Sequence, residues 1–247
     1  MADKRRKPIV DPRAAEKRRS LLIKIGAAVV LVALAVGIGV WIAVSHESST
    51  GSGSEVSVAT NGAFRVTTAP KGTTPPVVVT LVEDFQCPVC RQFEAQYGDA
   101  IAQIRANPKV AVDYTPIAFL DKMSTTNYSS RAANASACVA ESTAAGGDFT
   151  TWLKLHDALY AQQPAEGSAG LTDEVLNNIA NKSGASNVKQ CIADKQFGGW
   201  VKKRTETVLQ SGVEGTPTVK INGQVYQLPQ QADPAALIAA VNAAVNK

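Results

Sequence analysis

Cys87 and Cys90 are separated only by Pro88 and Val89, and two thiols at that spacing can close a small disulfide or contribute to a metal site. What they do depends on how the chain presents them. Ahead of them runs Val77-Val78-Val79-Thr80-Leu81-Val82, apolar enough for a strand buried on both faces. After them Phe93, Tyr97, Ile101 and Ile104 recur at helical spacing, and Pro88 falls near the first turn, where a missing N–H costs nothing. Cys87 is thereby placed at a helix N-terminus, whose free N–H groups and dipole favour a thiolate. The pattern predicts a nucleophilic Cys87, with Cys90 in reach to resolve a mixed disulfide.

Two competing uses of the pair are weaker. A structural zinc needs four ligands, yet Cys138 and Cys191 stand alone and His46 and His156 are the only histidines. Neither a metal nor a cofactor is expected. A purely structural local disulfide would not need the strand-then-helix setting, which puts the sulfurs at the C-terminal edge of a sheet, where α/β folds place their chemistry.

The compartment follows from the first 44 residues. Ile25 to Val44 is an uncharged run of 20 residues, about 30 Å as a helix, long enough to cross a bilayer. Nine basic side chains precede it, among them Lys4, Arg5, Arg6, Arg18 and Lys24, which predicts a cytoplasmic N-terminus and everything after Val44 outside the cell membrane. Ala43-Val44-Ser45 is small enough to be cut, but a cleaved signal usually has a shorter apolar core, so a retained single-pass anchor is expected. Of the formal net charge of +4, residues 1–24 carry +6 from nine basic and three acidic groups, leaving −2 for the rest. An outer part that is not basic gives no reason to expect nucleic-acid binding. Lys202-Lys203-Arg204 reads as a solvated helix face. Outside the cytoplasm disulfides persist; four cysteines allow three pairings, and if Cys87 pairs with Cys90 then Cys138 is left to Cys191.

The remaining elements must position the dithiol. Residues 1–24 read as a basic cytoplasmic tail, 25–44 as the anchor and 45–63, rich in Ser, Gly and Thr, as a flexible tether. From 64 to 247 there is chain enough for one sizeable core. Phe64–Thr68 is expected as an edge strand, Val77–Val82 as the central one, Cys87–Ala106 as a helix and Val110–Ile117 as a strand, a βαβ unit. A helical region follows, about 124–212, in which Trp152, Leu155 and Leu159 form one stripe and Leu171, Val175 and Ile179 another, with Thr172 as N-cap. Cys138 is expected near its start and Cys191 near its last helix. Asn222-Gly223 between two short apolar runs signals a two-residue hairpin, and Asp233-Pro234 starts a closing helix with Leu237, Val241 and Ala244 buried.

Gly215-Thr216-Pro217-Thr218 stands directly before that hairpin. Taken with Asp84-Phe85-Gln86-Cys87-Pro88-Val89-Cys90 and the helical region between, it resembles the thioredoxin superfamily and, within it, the DsbA-like thiol:disulfide oxidoreductases of membrane-anchored bacterial type. The resemblance covers residues 76 to 246. It implies an α/β thioredoxin-like fold with an inserted helical subdomain, here preceded by one transmembrane helix. It further implies a cis Pro217 against the dithiol, with Thr216 and Pro217 holding a peptide as an added strand. Two residues depart from the pattern: Leu81 stands where relatives carry a buried acid, and Val89 where strong oxidants carry histidine. Glu83 and Asp84 are nearer the dithiol and could relay a proton to Cys90, or be exposed loop acids. Without a histidine at Val89, the Cys87 thiol should be more acidic than a free one but less so than in the strongest oxidants.

The expected function is an extracytoplasmic oxidase that introduces disulfides into reduced or unfolded exported proteins and is reoxidised by a membrane partner, by analogy quinone-linked. The alternatives are an isomerase, a reductant serving cytochrome maturation, or a non-redox tethered binding module or chaperone.

Overall fold

The computed structural model describes residues 54–247. The expected tail and anchor, 1–24 and 25–44, lie outside them, as does the first part of the tether, 45–53; among the described residues no helix is long and apolar enough to cross a membrane. Five strands form one sheet: β1 (Phe64–Thr67), β2 (Val77–Glu83), β3 (Val110–Pro116), β4 (Thr218–Ile221) and β5 (Gln224–Tyr226), in the order β1-β3-β2-β4-β5. Only β2 and β3 are parallel; the other pairs are antiparallel.

The parallel pair needs a crossover, supplied by α1 (Pro88–Arg105). Its Phe93, Tyr97, Ala100, Ile101 and Ile104 are buried against the sheet, at roughly 1.5–3 kcal/mol for each large side chain. On the same side α7 (Pro234–Val245) packs on α1 and β2. Asp233 caps it by accepting from Ala236 N at 2.9 Å, while its own N–H donates to Tyr97 Oη on α1. Leu237 and Val241 are buried and Ala244 partly so. The hairpin turn has Asn222 and Gly223 both at positive φ, 49° and 81°, as a two-residue turn requires.

Between β3 and β4 lies the helical insertion: α2 (Tyr128–Thr143), α3 (Thr150–Ala161), α4 (Asp173–Ser183), α5 (Lys189–Ala193) and α6 (Gly198–Gln210). Trp152, Leu155 and Leu159 of α3 are fully buried, and Trp152 Nε1 donates to Ser136 Oγ on α2 at 2.8 Å. Cys138 and Cys191 are bonded, with Cα atoms 6.0 Å apart, tying α2 to α5. This is the α/β sandwich with an inserted helical subdomain.

Several local expectations change. Val78 and Thr80 are only partly buried, so β2 is enclosed on both faces at its C-terminal end alone. Cys138 sits deep in α2, a helix whose Ala- and Ser-rich sequence offers no large apolar stripe; small side chains let neighbouring helices approach closely, and eleven of its residues are buried. Cys191 lies in α5, directly before the last helix of the insertion and so near it as expected. In α4 the buried face is Leu176, Ile179, Ala180 and Ser183, because Leu171 precedes the helix and Thr172 caps it by accepting from Val175 N. Arg204 of α6 is not a solvated charge: it is half-buried and reaches Thr115 Oγ1. The end of the expected tether also belongs to the folded domain, since Val56 and Ala63 are buried and Ser57 bonds Glu141 through both N and Oγ.

Candidate active site

The turn that leads from β2 into α1 fixes the dithiol. Cys87 N donates to Asp84 O at 3.0 Å, and Cys87 occupies the N-cap of α1 in extended conformation, with Pro88 in the first turn. Its own carbonyl accepts from Arg91 N and from Gln163 Nε2 at 2.9 Å; Gln163 also donates to Phe85 O. Gln86 Nε2 in turn donates to Ala165 O and Ser168 O, and Tyr160 Oη to Asp84 O. The strap after α3 is thus stitched to the loop that carries the nucleophile. A glutamine has no periodic signature, so nothing in the sequence pointed to Gln163.

Both sulfurs are reduced and buried, Cys87 6% exposed and Cys90 0%. The two titrate in opposite directions. Cys87 is drawn down to about 6, first by a hydrogen bond from the Cys90 thiol, then by the Thr216 hydroxyl and the N–H groups of Cys90 and Val89, against the opposing effect of burial. Cys90 is pushed well above its ordinary value by burial, by its bond to Cys87 and by the nearby Glu83 carboxylate. Val89 points to solvent, 56% exposed, and adds only its N–H.

Across from Cys87 the Thr216-Pro217 peptide is cis. Thr216 O accepts from the Cys87 thiol at 3.3 Å, and Thr216 Oγ1 is buried with no other partner, free to donate to a thiolate. Beside Pro217 a cavity of about 160 Å³ opens between α1 and the loop after β5, lined by Val89, Phe93 and Leu228. Gly215, one residue ahead of Thr216, faces open space.

Glu83 and Asp84, expected as relay or exposed loop acids, are both buried, at 2% and 0% exposure. Their circumstances differ. Asp84 is spent on structure: its carboxylate accepts from Gln86 N, Leu120 N and Ser129 Oγ, holding the insertion to the loop. Burial raises its pKa while those donors pull it back. Glu83 instead meets His156 Nε2 at 3.0 Å. His156 is enclosed by Phe85, Tyr114, Trp152 and Tyr160. With half-buried Glu94 these are, among the described residues, the one group of three metal-capable side chains with polar atoms within 4.8 Å of one another. The bond between Glu83 and His156 already engages the imidazole nitrogen and one carboxylate oxygen. Spacing could have singled out His156, which continues the buried face of α3 from Trp152; Glu94, between Phe93 and exposed Ala95, gives no such signal.

Known proteins are similar to this chain in sequence and fold. A family model described as thioredoxin matches residues 72–242. Reduced DsbA from Mycobacterium tuberculosis is 33% identical, covering 75% of this chain and 93% of that one, with a TM-score of 0.63. The reduced disulfide bond oxidoreductase DsbG of the same organism is 34% identical, covers 76% and 89%, and also scores 0.63. BdbD from Bacillus subtilis, at 19% identity and a TM-score of 0.61 over 76% and 95%, shares the fold. Among curated proteins, the serine/threonine-protein kinase PknE of Mycobacterium tuberculosis is 31% identical over 165 residues, which is 62% of this chain and 28% of the kinase.

Proposed function

The chain belongs to the thioredoxin family as a DsbA-like thiol-disulfide oxidoreductase, and we propose that it donates the Cys87–Cys90 disulfide to exported proteins outside the cytoplasmic membrane. The observation that carries this is the division of acidity within the dithiol: Cys87 drawn down to about 6 beside cis Thr216-Pro217, Cys90 buried and pushed far up. A substrate thiolate attacks Cys87, the bond to Cys90 breaks, and the substrate is held as a mixed disulfide. A second substrate thiolate then attacks the substrate sulfur, and Cys87 leaves with the electron pair. A sulfur of low pKa is a good leaving group, so the substrate departs oxidised.

The bound peptide pairs with the backbone at Thr216 as an added strand, and a side chain of it fills the 160 Å³ cavity beside Pro217. Sequence-tolerant backbone pairing suits unfolded clients. Residues 25–44 anchor the enzyme in the lipid bilayer with the domain outside, and a membrane partner, quinone-linked by analogy with the family, restores the disulfide. Of the two acids near the dithiol, Glu83 is the one placed to exchange a proton with Cys90, because the oxygens of Asp84 are occupied.

A Cys90→Ser variant cannot resolve the mixed disulfide. It should also fail to oxidise a reduced client, because it cannot form the Cys87–Cys90 disulfide, while Cys87 attacks client disulfides and keeps the client covalently bound, separable by reducing agent on a gel; a variant that oxidises reduced clients as the unsubstituted chain does removes the oxidase proposal. Direction is read from the equilibrium with glutathione. A potential near about −120 mV marks an oxidase, and one near about −270 mV a reductant.

A further inference from the structure

Of the basic run Lys202-Lys203-Arg204 on α6, the first two side chains are exposed and the third is half-buried. Among the described residues Arg204 makes one hydrogen bond, from Nη2 to Thr115 Oγ1 at 3.4 Å, and no ion pair. Its Nε is buried with no partner. The acid that could have neutralised it, Asp113, is taken by Arg65, which donates to both carboxylate oxygens at 2.7 Å. A guanidinium withdrawn from water without a counter-ion is costly, and an apolar side chain of similar length would fill the same space without that cost. Burial accordingly lowers the pKa of Arg204, although the Asp113 charge acts the other way.

The surroundings form a cradle for this charge. Asn61 and Gly62, at φ 51° and 73°, make a turn closed by two backbone hydrogen bonds between Thr60 and Ala63, at 2.8 and 3.0 Å. The turn lies directly on the guanidinium: a Cβ at Gly62 would stand 3.0–3.2 Å from Arg204 Cδ, Nη1 and Nε. Beside it opens a cavity of about 230 Å³, lined by Glu55, Val56, Asn61, Trp200, Lys203 and Arg204. Lys203 Nζ meets Glu55 Oε1 at 3.0 Å, but both side chains are exposed, and such a pair is easily exchanged for another. None of these residues lines the cavity beside Pro217.

We propose that Arg204, with Lys203 at the rim, forms a binding site for a phosphate group. Two cations at one cavity suit an anion with several acceptor oxygens, which can take the guanidinium fork and the ammonium together, better than they suit a single carboxylate. The buried Val56 and Trp200 leave an apolar wall for the organic part of an ester. Two sources share this chemistry, a lipid headgroup and a soluble phosphate ester. Glu55 stands eleven residues on from Val44, at most about 40 Å of extended chain, so headgroups of the bilayer that holds residues 25–44 are within reach. Only that source rests on the anchor; the site itself depends neither on it nor on the exchange chemistry.

Melting of the full chain in a phosphate-free maltoside detergent tests this. Sodium phosphate, set against sodium chloride of equal ionic strength, should raise the melting temperature and saturate, by about 5 °C at a hundredfold excess over the dissociation constant. Arg204→Gln should weaken the response at least tenfold and Lys203→Gln several-fold. Should Arg204→Gln fail to fold, the exposed Lys203→Gln decides alone. Vesicles of phosphatidylglycerol, compared with vesicles of the phosphate-free digalactosyl diglyceride, separate the sources. A higher melting temperature in the phospholipid that these substitutions reduce assigns the site to headgroups, and a response to free phosphate alone assigns it to a soluble ester. A rise of equal size in the variants is the general stabilising effect of the salt and overturns the site, as does no response to either probe.

Discussion

The acidity of Cys87 has a consequence for stability that separates the reduced from the oxidised protein. An unfolded cysteine titrates near 8.5, whereas in the fold Cys87 does so at about 6. A depressed folded value stabilises the fold above the unfolded value, and this contribution disappears as pH falls through the folded one. Reduced protein should therefore lose stability between about pH 8.5 and 6 on this account, while the disulfide form, having no thiolate, should not. Melting temperatures of the two forms across that window test this; parallel curves would show that Cys87 is not ionised in the fold. Thr216→Val removes one donor to the sulfur and should raise the thiolate midpoint by about one pH unit, matching the roughly 1–1.5 kcal/mol of a single hydrogen bond.

At the scale of elements the insertion is the part most in need of support, since α2 packs through alanines and α5 is only five residues long. The Cys138–Cys191 bond joins these two helices across a sequence separation of 53. In the chain-entropy description, closing such a loop contributes on the order of 4 kcal/mol, so replacing both cysteines by alanine should lower the free energy of unfolding by about that much, read from the denaturant midpoint. A loss below 1 kcal/mol would mean that the insertion holds itself together. The same contrast explains which elements the sequence revealed. Strands of Val and Leu, the α1 stripe from Phe93 to Ile104, the Asn222-Gly223 turn and the Asp233 cap each carry a local signature strong enough to read alone. Helix α2 does not, because its burial comes from close approach of small residues and depends on partners remote in sequence. The site divides likewise: Cys87 and Cys90 announce themselves by their spacing and setting, Thr216 and Pro217 only through the family resemblance, whereas Gln163, Glu94 and the pairing of His156 with Glu83 exist only once α3 is folded against the sheet.

Which side of a membrane the whole molecule works on decides whether its chemistry can run as an oxidation. In a reducing cytoplasm the Cys87–Cys90 pair would be held as a dithiol, and the Cys138–Cys191 bond would be out of place. The uncharged run 25–44, with nine basic side chains before it, argues for the outer side. The full chain should therefore sediment with membranes and resist extraction by salt. In intact cells treated with a mild reductant, a membrane-impermeant maleimide should label Cys87 and protect it from a second, permeant reagent; Cys87→Ser should abolish the label, because Cys90 is sealed from the surface. Labelling that appears only after lysis would put the domain inside the cell. A reductase role would then replace donation of disulfides as the direction in which this dithiol turns over.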